Sequence, residues 1–417
     1  MASEELLSLV KETICASIRR NTKRGFIGWS SCDQICMDMH GCLDQCEELR
    51  KAGSALEALE VTVYVLVEGI KLASCADSSS GMLTDVLDRA CEIAKDCAEE
   101  LSGQEKQVRD KALAVIIKGA KKKAFDGWSD WRYELLGCGA CVCDEKSAGK
   151  LESALDAFLE QANESAFPEF GRDQNQVARY LLHRHLFGRE AANAELYEHL
   201  NISELCRIAI RDALEGGEYD EAERLCMEKI NAQDAGYYRG SDPDDWNNLL
   251  FEVYKAQGDA VKQVRQAKKL LLYGNERFWD VLKQIFREGG GWEKHYECLL
   301  DELKNSGKYI CYRSVLVAEN ERKRLLDDLT ENPDDLFSYG SYLMEDYPQQ
   351  LYGLCEQVIR ENCAQARNRR EYKKVARQLG QMMKWGGTDA AYRLIDELAQ
   401  TYPRRTALLD ELQKEKR

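Results

Sequence analysis

The stretch from Arg367 to Arg417 constrains the fold most, because one complete unit of a helical repeat is legible in it. From Arg370 to Trp385, the residues Tyr372, Val375, Ala376, Leu379 and Met383 recur at the spacing of a single amphipathic stripe. Gly386-Gly387 supplies a left-handed residue to close that helix, and Thr388 stands where a hydroxyl N-cap is wanted. A second stripe follows in Ala391, Leu394, Ile395, Leu398 and Tyr402, and Pro403 ends it. Two such helices joined by about four residues lie antiparallel and share their apolar faces, which leaves one stripe for a neighbouring pair to cover. The chain is therefore expected to be all-α, a solenoid of stacked helical hairpins of the TPR or HEAT kind.

Punctuation elsewhere agrees. Each of the five prolines, Pro168, Pro243, Pro333, Pro348 and Pro403, sits where a helix would begin or end. Glycine turns recur at Gly216-Gly217, Gly258, Gly289-Gly290-Gly291, Gly307 and Gly386-Gly387. They give pairs of roughly 30 to 45 residues, the range of tetratricopeptide and HEAT arrays. At 417 residues the chain is too long for one compact core. We expect an N-terminal helical bundle over residues 1–165 and TPR-like repeats over 166–417, with Phe167 to Asp173 as the boundary. One long insert, Gln233 to Asp245, carries Tyr237, Tyr238 and four aspartates, and reads as a binding edge.

The N-terminal half reads as helices over residues 1–22 (Leu6, Leu7, Val10, Ile14 and Ile18 inward), 32–51, 55–72 and 82–100. The third of these contains Val61 to Val67, β-prone by composition, but no partner strand is in sight, so a buried helix is expected. The segment Lys23 to Ser30 recurs loosely as Lys122 to Ser129, each followed by a cysteine-bearing helix and an Ala/Leu-rich helix. Internal duplication explains this, and so does chance repetition of an aromatic turn.

Glu57, Glu60 and Glu68 interrupt the longest apolar stretch and exclude a membrane span there. The N-terminus carries acids rather than a basic leader, so a cytoplasmic location is expected. Seventeen cysteines, an odd number placed mostly within helical patterns, read as reduced thiols. Cys206, Cys226, Cys298, Cys355 and Cys363 fit apolar stripes as small buried residues. The net charge of −15 argues against general affinity for nucleic acid or anionic membrane, yet residues 367–417 carry thirteen Lys and Arg against seven Asp and Glu.

Arg24 to Trp29, Asn368 to Leu379, Gly386-Gly387 and Tyr402 to Asp410 resemble the helical region that follows the zinc finger in bacterial SWIM zinc-finger proteins. The resemblance covers nearly the whole chain and rests on helix-packing patterns. It implies an all-helical, cytoplasmic, repeat-containing bacterial protein, and since some members of that family are thought to work beside helicase-like ATPases on DNA, it gives the basic tail a meaning. The finger itself is missing: Cys141-Val-Cys143 is present, but no histidine has a cysteine two positions before it.

Candidate chemistry is sparse. Cys138, Cys141 and Cys143 put three thiols in six residues and could hold a metal with Cys32 or Cys36 as fourth ligand, but structural zinc usually shows two separated ligand pairs, and a glycine turn entering a helix with buried thiols is the favoured reading. Cys32, Cys36 and His40, with Cys42 and Cys46 nearby, share one helical face, which is also what a core stripe requires. His183 and His185 are too close in sequence to share a face, and Asp242 to Asp245 lacks calcium-loop spacing and reads as a helix N-cap. No phosphate loop, nucleophile elbow or carboxylate pair is visible, so no catalytic residue and no cofactor is assigned. Arg369, Arg370, Lys373, Lys374 and Arg377 cluster around Tyr372 and would form a phosphate-binding face if they project together. The expectation is a non-enzymatic scaffold binding a protein partner through a concave face, with no membrane role; the alternative is an accessory nucleic-acid-binding protein acting through the basic C-terminal helices beside a helicase-like ATPase.

Overall fold

The computed structural model describes residues 3–163, 168–234 and 243–416. Twenty-two α-helices make up the described residues, with no strand, and only two isolated bridges, Lys23 with Phe26 and Ile27 with Ala76. The all-α expectation holds. The chain divides into two compact units, Met1–Ala213 and Leu214–Arg417.

The first unit contains α1 (Ser3–Asn21), α2 (Trp29–Lys51), α3 (Ala55–Ala73), α4 (Met82–Ser102), α5 (Lys106–Ala120), α6 (Ser129–Cys138), α7 (Ala148–Asn163), α8 (Pro168–Phe187), α9 (Arg189–Glu198) and α10 (Ser203–Glu215) as far as Ala213. Its centre is α3, which packs against α1, α2, α4 and α5. Twelve of its nineteen residues are buried, so the valine run has apolar neighbours on several sides and takes the helix that its flanks dictate. Two glycines let neighbours come close. A Cβ on Gly69 would lie 2.7 Å from Leu87 of α4, and one on Gly119 of α5 would lie 2.5 Å from Val63. The boundary expected at 165/166 falls on residues 164–167, outside the described residues. The compact units divide at Ala213 instead, because α8 packs on α6 and α7 and contributes Ala178 and Leu182 to the first core.

The second unit continues with α11 (Tyr219–Asp234), α12 (Pro243–Gln257), α13 (Ala260–Leu272), α14 (Arg277–Glu288), α15 (Trp292–Asn305), α16 (Tyr309–Ala318), α17 (Arg322–Glu331), α18 (Leu336–Tyr339), α19 (Pro348–Gln365), α20 (Arg369–Lys384), α21 (Thr388–Thr401) and α22 (Thr406–Glu415). Most helices here pack on the next in sequence, and α13 on α15, α19 on α21 and α20 on α22 add second neighbours, as stacked repeats do. The last hairpin follows its pattern, with Val375, Ala376, Leu379, Ala391, Leu394 and Leu398 buried. Two details differ. Gly387, not Thr388, is the N-cap of α21, and no side chain bonds there. The stripe left over by α20 is covered by α19 and by α22, which sequence had not distinguished as a helix. The Tyr237 and Tyr238 of the long insert lie outside the described residues, as does Asp242, and the side chains of Asp244 and Asp245 are not described. Pro348 begins α19, and Asn332 accepts the backbone N–H of Asp334 in the 3-10 turn Pro333–Asp335.

Candidate functional site

Burial accounts for most of the cysteines. Cys138 and Cys143 are buried and Cys141 partly so, at the junction of α6 with the 3-10 turn Gly139–Val142. Loss of solvation pushes the Cys138 and Cys143 thiols up to about 12, which keeps them protonated at neutral pH. Cys32, Cys36, Cys42 and Cys46 fill the inner face of α2, and burial raises them too. Among the described residues no group of three or more His, Cys, Asp or Glu is placed to hold a metal ion. Cys298 departs from its expected place: it is exposed on α15, and its Sγ donates to Glu302 at 3.3 Å. The two close histidines go separate ways, His183 Nδ1 lying 2.8 Å from Glu195 and His185 Nε2 3.2 Å from the Cys143 carbonyl.

On the first unit, α2 and α4 frame a cleft of about 400 Å³. His40 and Glu47 line it from α2, and Asp85, Asp88, Arg89, Glu92, Ile93 and Asp96 from α4. The Arg89 guanidinium bonds Asp44 at 2.6 Å and Glu47 at 2.8 Å, and this contact holds the Glu47 carboxyl below its usual range. Asp88 accepts the Trp131 indole N–H, and Asp96 pairs with Arg50 at 3.2 Å. Among the described residues Asp85 and Glu92 have no ion pair, so the cleft keeps a negative excess.

Leading into α2, residues 23–29 form a tight reverse turn. Arg24 and Gly25 take φ of 55° and 81°, the signs of a type I′ hairpin turn, and Lys23 and Phe26 exchange backbone hydrogen bonds. Ile27 is buried and ties the turn to residues 75–77 through two more backbone bonds. That anchor turns Phe26 and Trp29 outward, 56% and 59% exposed. In the recurrence the register is opposite: Phe125 is buried, Asp126 faces out, and Arg132 lies over the rings of Phe125 and Phe158 while pairing with Asp126.

The second unit carries two surfaces of its own. On α20, Arg370, Lys373, Lys374, Arg377 and Lys384 are exposed on one face, opposite Tyr372, Val375, Ala376 and Leu379. None of them makes an ion pair among the described residues, whereas Arg369 is taken up by Glu411 at 2.9 Å. Four of the five cations singled out by sequence therefore do project together. A separate edge runs through the corner after α13 and the start of α16. A Cβ on Gly274 would meet Lys308, Cys311 Sγ lies 4.0 Å from the Leu271 carbonyl, and Tyr339 donates to the Ile310 carbonyl. Along this edge Tyr273, Tyr309, Ile310 and Tyr342 are exposed.

No family model matches the chain, and no curated protein is detectably similar to it.

The acidic cleft and the tyrosine edge were not found by sequence reasoning. Asp85, Asp88, Glu92 and Asp96 sit at helical spacing and read as an ordinary solvated face until α2 brings Asp44 and Glu47 alongside. Tyr273, Tyr309 and Tyr342 lie at helix ends far apart in sequence, where no periodicity marks them.

Proposed function

We propose that the chain is a non-enzymatic helical-repeat scaffold that binds another protein. The observation that carries this reading is the edge of Tyr273, Tyr309, Ile310 and Tyr342, with Ile310 68% exposed. Exposed tyrosines and an aliphatic residue aligned along one edge are the composition of interface hot spots, and folding of this chain alone does not require them outside. The cytoplasm is the compartment this reading assigns. No described helix is long and apolar enough to cross a membrane, and all seventeen cysteines are free thiols. The test is affinity capture from the native host with the parent chain and with Tyr309→Ala/Ile310→Asp in parallel. A stoichiometric partner lost with the double variant supports the scaffold; equal recovery by both chains, or none by either, removes this edge as the binding face.

A second reading, an accessory nucleic-acid-binding role beside a helicase-like ATPase, is favoured by the unpaired basic face of α20. Five cations spread over a rise of about 21 Å would meet successive phosphates of one strand. Duplex binding that weakens steeply with salt and is lost on Arg370→Glu/Lys374→Glu supports it, with Arg369→Ala as a control that removes a cation already paired. Salt-insensitive or unaltered binding ends it.

A further inference from the structure

The turn of residues 23–29 and the cleft between α2 and α4 carry complementary features on the same side of one helix. His40 and Glu47 follow Trp29 by 11 and 18 residues, close to three and five turns of 3.6 residues, so the cleft opens on the face of α2 that presents the indole. The turn offers two cations without ion pairs among the described residues, Lys23 and Arg24, beside two exposed rings. The cleft offers two carboxylates, Asp85 and Glu92, that have no ion pair among the described residues. Among the described residues nothing covers Phe26 and Trp29.

We propose that the occupant is a second copy of this chain. Two copies of α2 pack antiparallel about a two-fold axis, and the turn of each enters the acidic cleft of the other. Such an interface is isologous, so each contact is made twice. Lys23 and Arg24 meet Asp85 and Glu92, and the rings supply the desolvated anchors. The register that sets the turn beside Asp44 and Glu47 also brings Trp29 over Gly41. That glycine is exposed in mid-helix with open space where a side chain would stand, so α2 itself gains nothing from it. This interface is independent of the tyrosine edge and of the basic face of α20.

Sedimentation velocity of the full chain over a wide concentration range tests the proposal. The parent chain is expected to be a dimer, Phe26→Ala/Trp29→Ala a monomer, and Gly41→Leu a monomer with an unchanged circular dichroism spectrum. The deciding pair is a reversed turn, Lys23→Glu/Arg24→Glu, and a reversed cleft, Asp85→Lys/Glu92→Lys. Each is monomeric alone, because like charges face each other. Mixed in equal amounts they form a heterodimer in which both turn–cleft contacts are attractive. A parent chain that stays monomeric, a dimer indifferent to the turn variants, or a mixture that fails to associate would each overturn the proposal, whatever other molecule the turn then proves to bind.

Discussion

Arg313 is wholly buried in the second unit, and each of its three guanidinium nitrogens has a partner. It bonds Asp328 at 2.6 Å, Asp335 at 2.9 Å and the Asn332 carbonyl at 2.7 Å, which fixes the turn between α17 and α18. Arg313→Met leaves Asp328 buried without a counter-charge. The expected loss is about 3–5 kcal/mol in urea unfolding. The double variant Arg313→Met/Asp328→Leu should recover much of it, since an apolar pair carries no desolvation penalty. Asp144 gives the corresponding prediction for pH. Its carboxyl is held well below the usual range by Lys106 first and Ser147 next. A depressed folded value means the contribution is full above about pH 4 and is lost as pH falls further. Melting temperatures of Asp144→Asn should therefore fall less steeply than those of the parent below pH 4. Neither role is visible in the sequence, where Arg313 sits between Tyr312 and Ser314 with no marker of burial and its partners lie fifteen and more residues on. Cys298 shows the converse: its spacing fitted a stripe, and packing left it outside.

Helices were legible where one face alone is buried. The stripes of α1, α4, α12 and α20 repeat near every 3.6 residues because only that side meets a neighbour, and the inward residues follow. Legibility fails where that condition fails. In α3 burial on several sides erases the period, and Val61 to Val67 keeps only its β-prone composition. It fails again at ends: α22 is ten residues long, and the α21 N-cap is a backbone arrangement rather than a hydroxyl. Close crossings are equally silent. Gly119 looks like any mid-helix glycine, yet a methyl group there would also lie 3.3 Å from Leu135, between two neighbours. Gly119→Ala should cost about 1–3 kcal/mol by overpacking. Val63→Ala in the same chain should relieve part of that loss in chemical denaturation, while Gly353→Ala, with nothing within 4 Å, should not destabilise.

At the scale of the molecule the all-α class could be read from proline and glycine placement, and so could the basic face of α20, which lies on one helix, whereas the acidic cleft and the tyrosine edge could not, because each joins residues from different helices. The thiols give a measurement that spans both units. Cys15, Cys75 and Cys298 are exposed, and the other fourteen are buried or nearly so. With a disulfide reagent at neutral pH the native chain should therefore show three accessible thiols, Cys298 slowest because its bond to Glu302 raises it, and all seventeen only in denaturant. Rapid titration of many more would mean the helices are not packed as described. The crowding of thiols along the inner face of α2 has a consequence for handling the protein. Cys32, Cys36, Cys42 and Cys46 are shielded from oxygen by their neighbours' side chains and by nothing else. A molecule that opens in air, even briefly, can acquire a bridge or a sulfenic acid that the closed helix has no room to house. Heating without a reductant should then be a one-way journey, and a second scan of the same sample would show how many molecules ever returned.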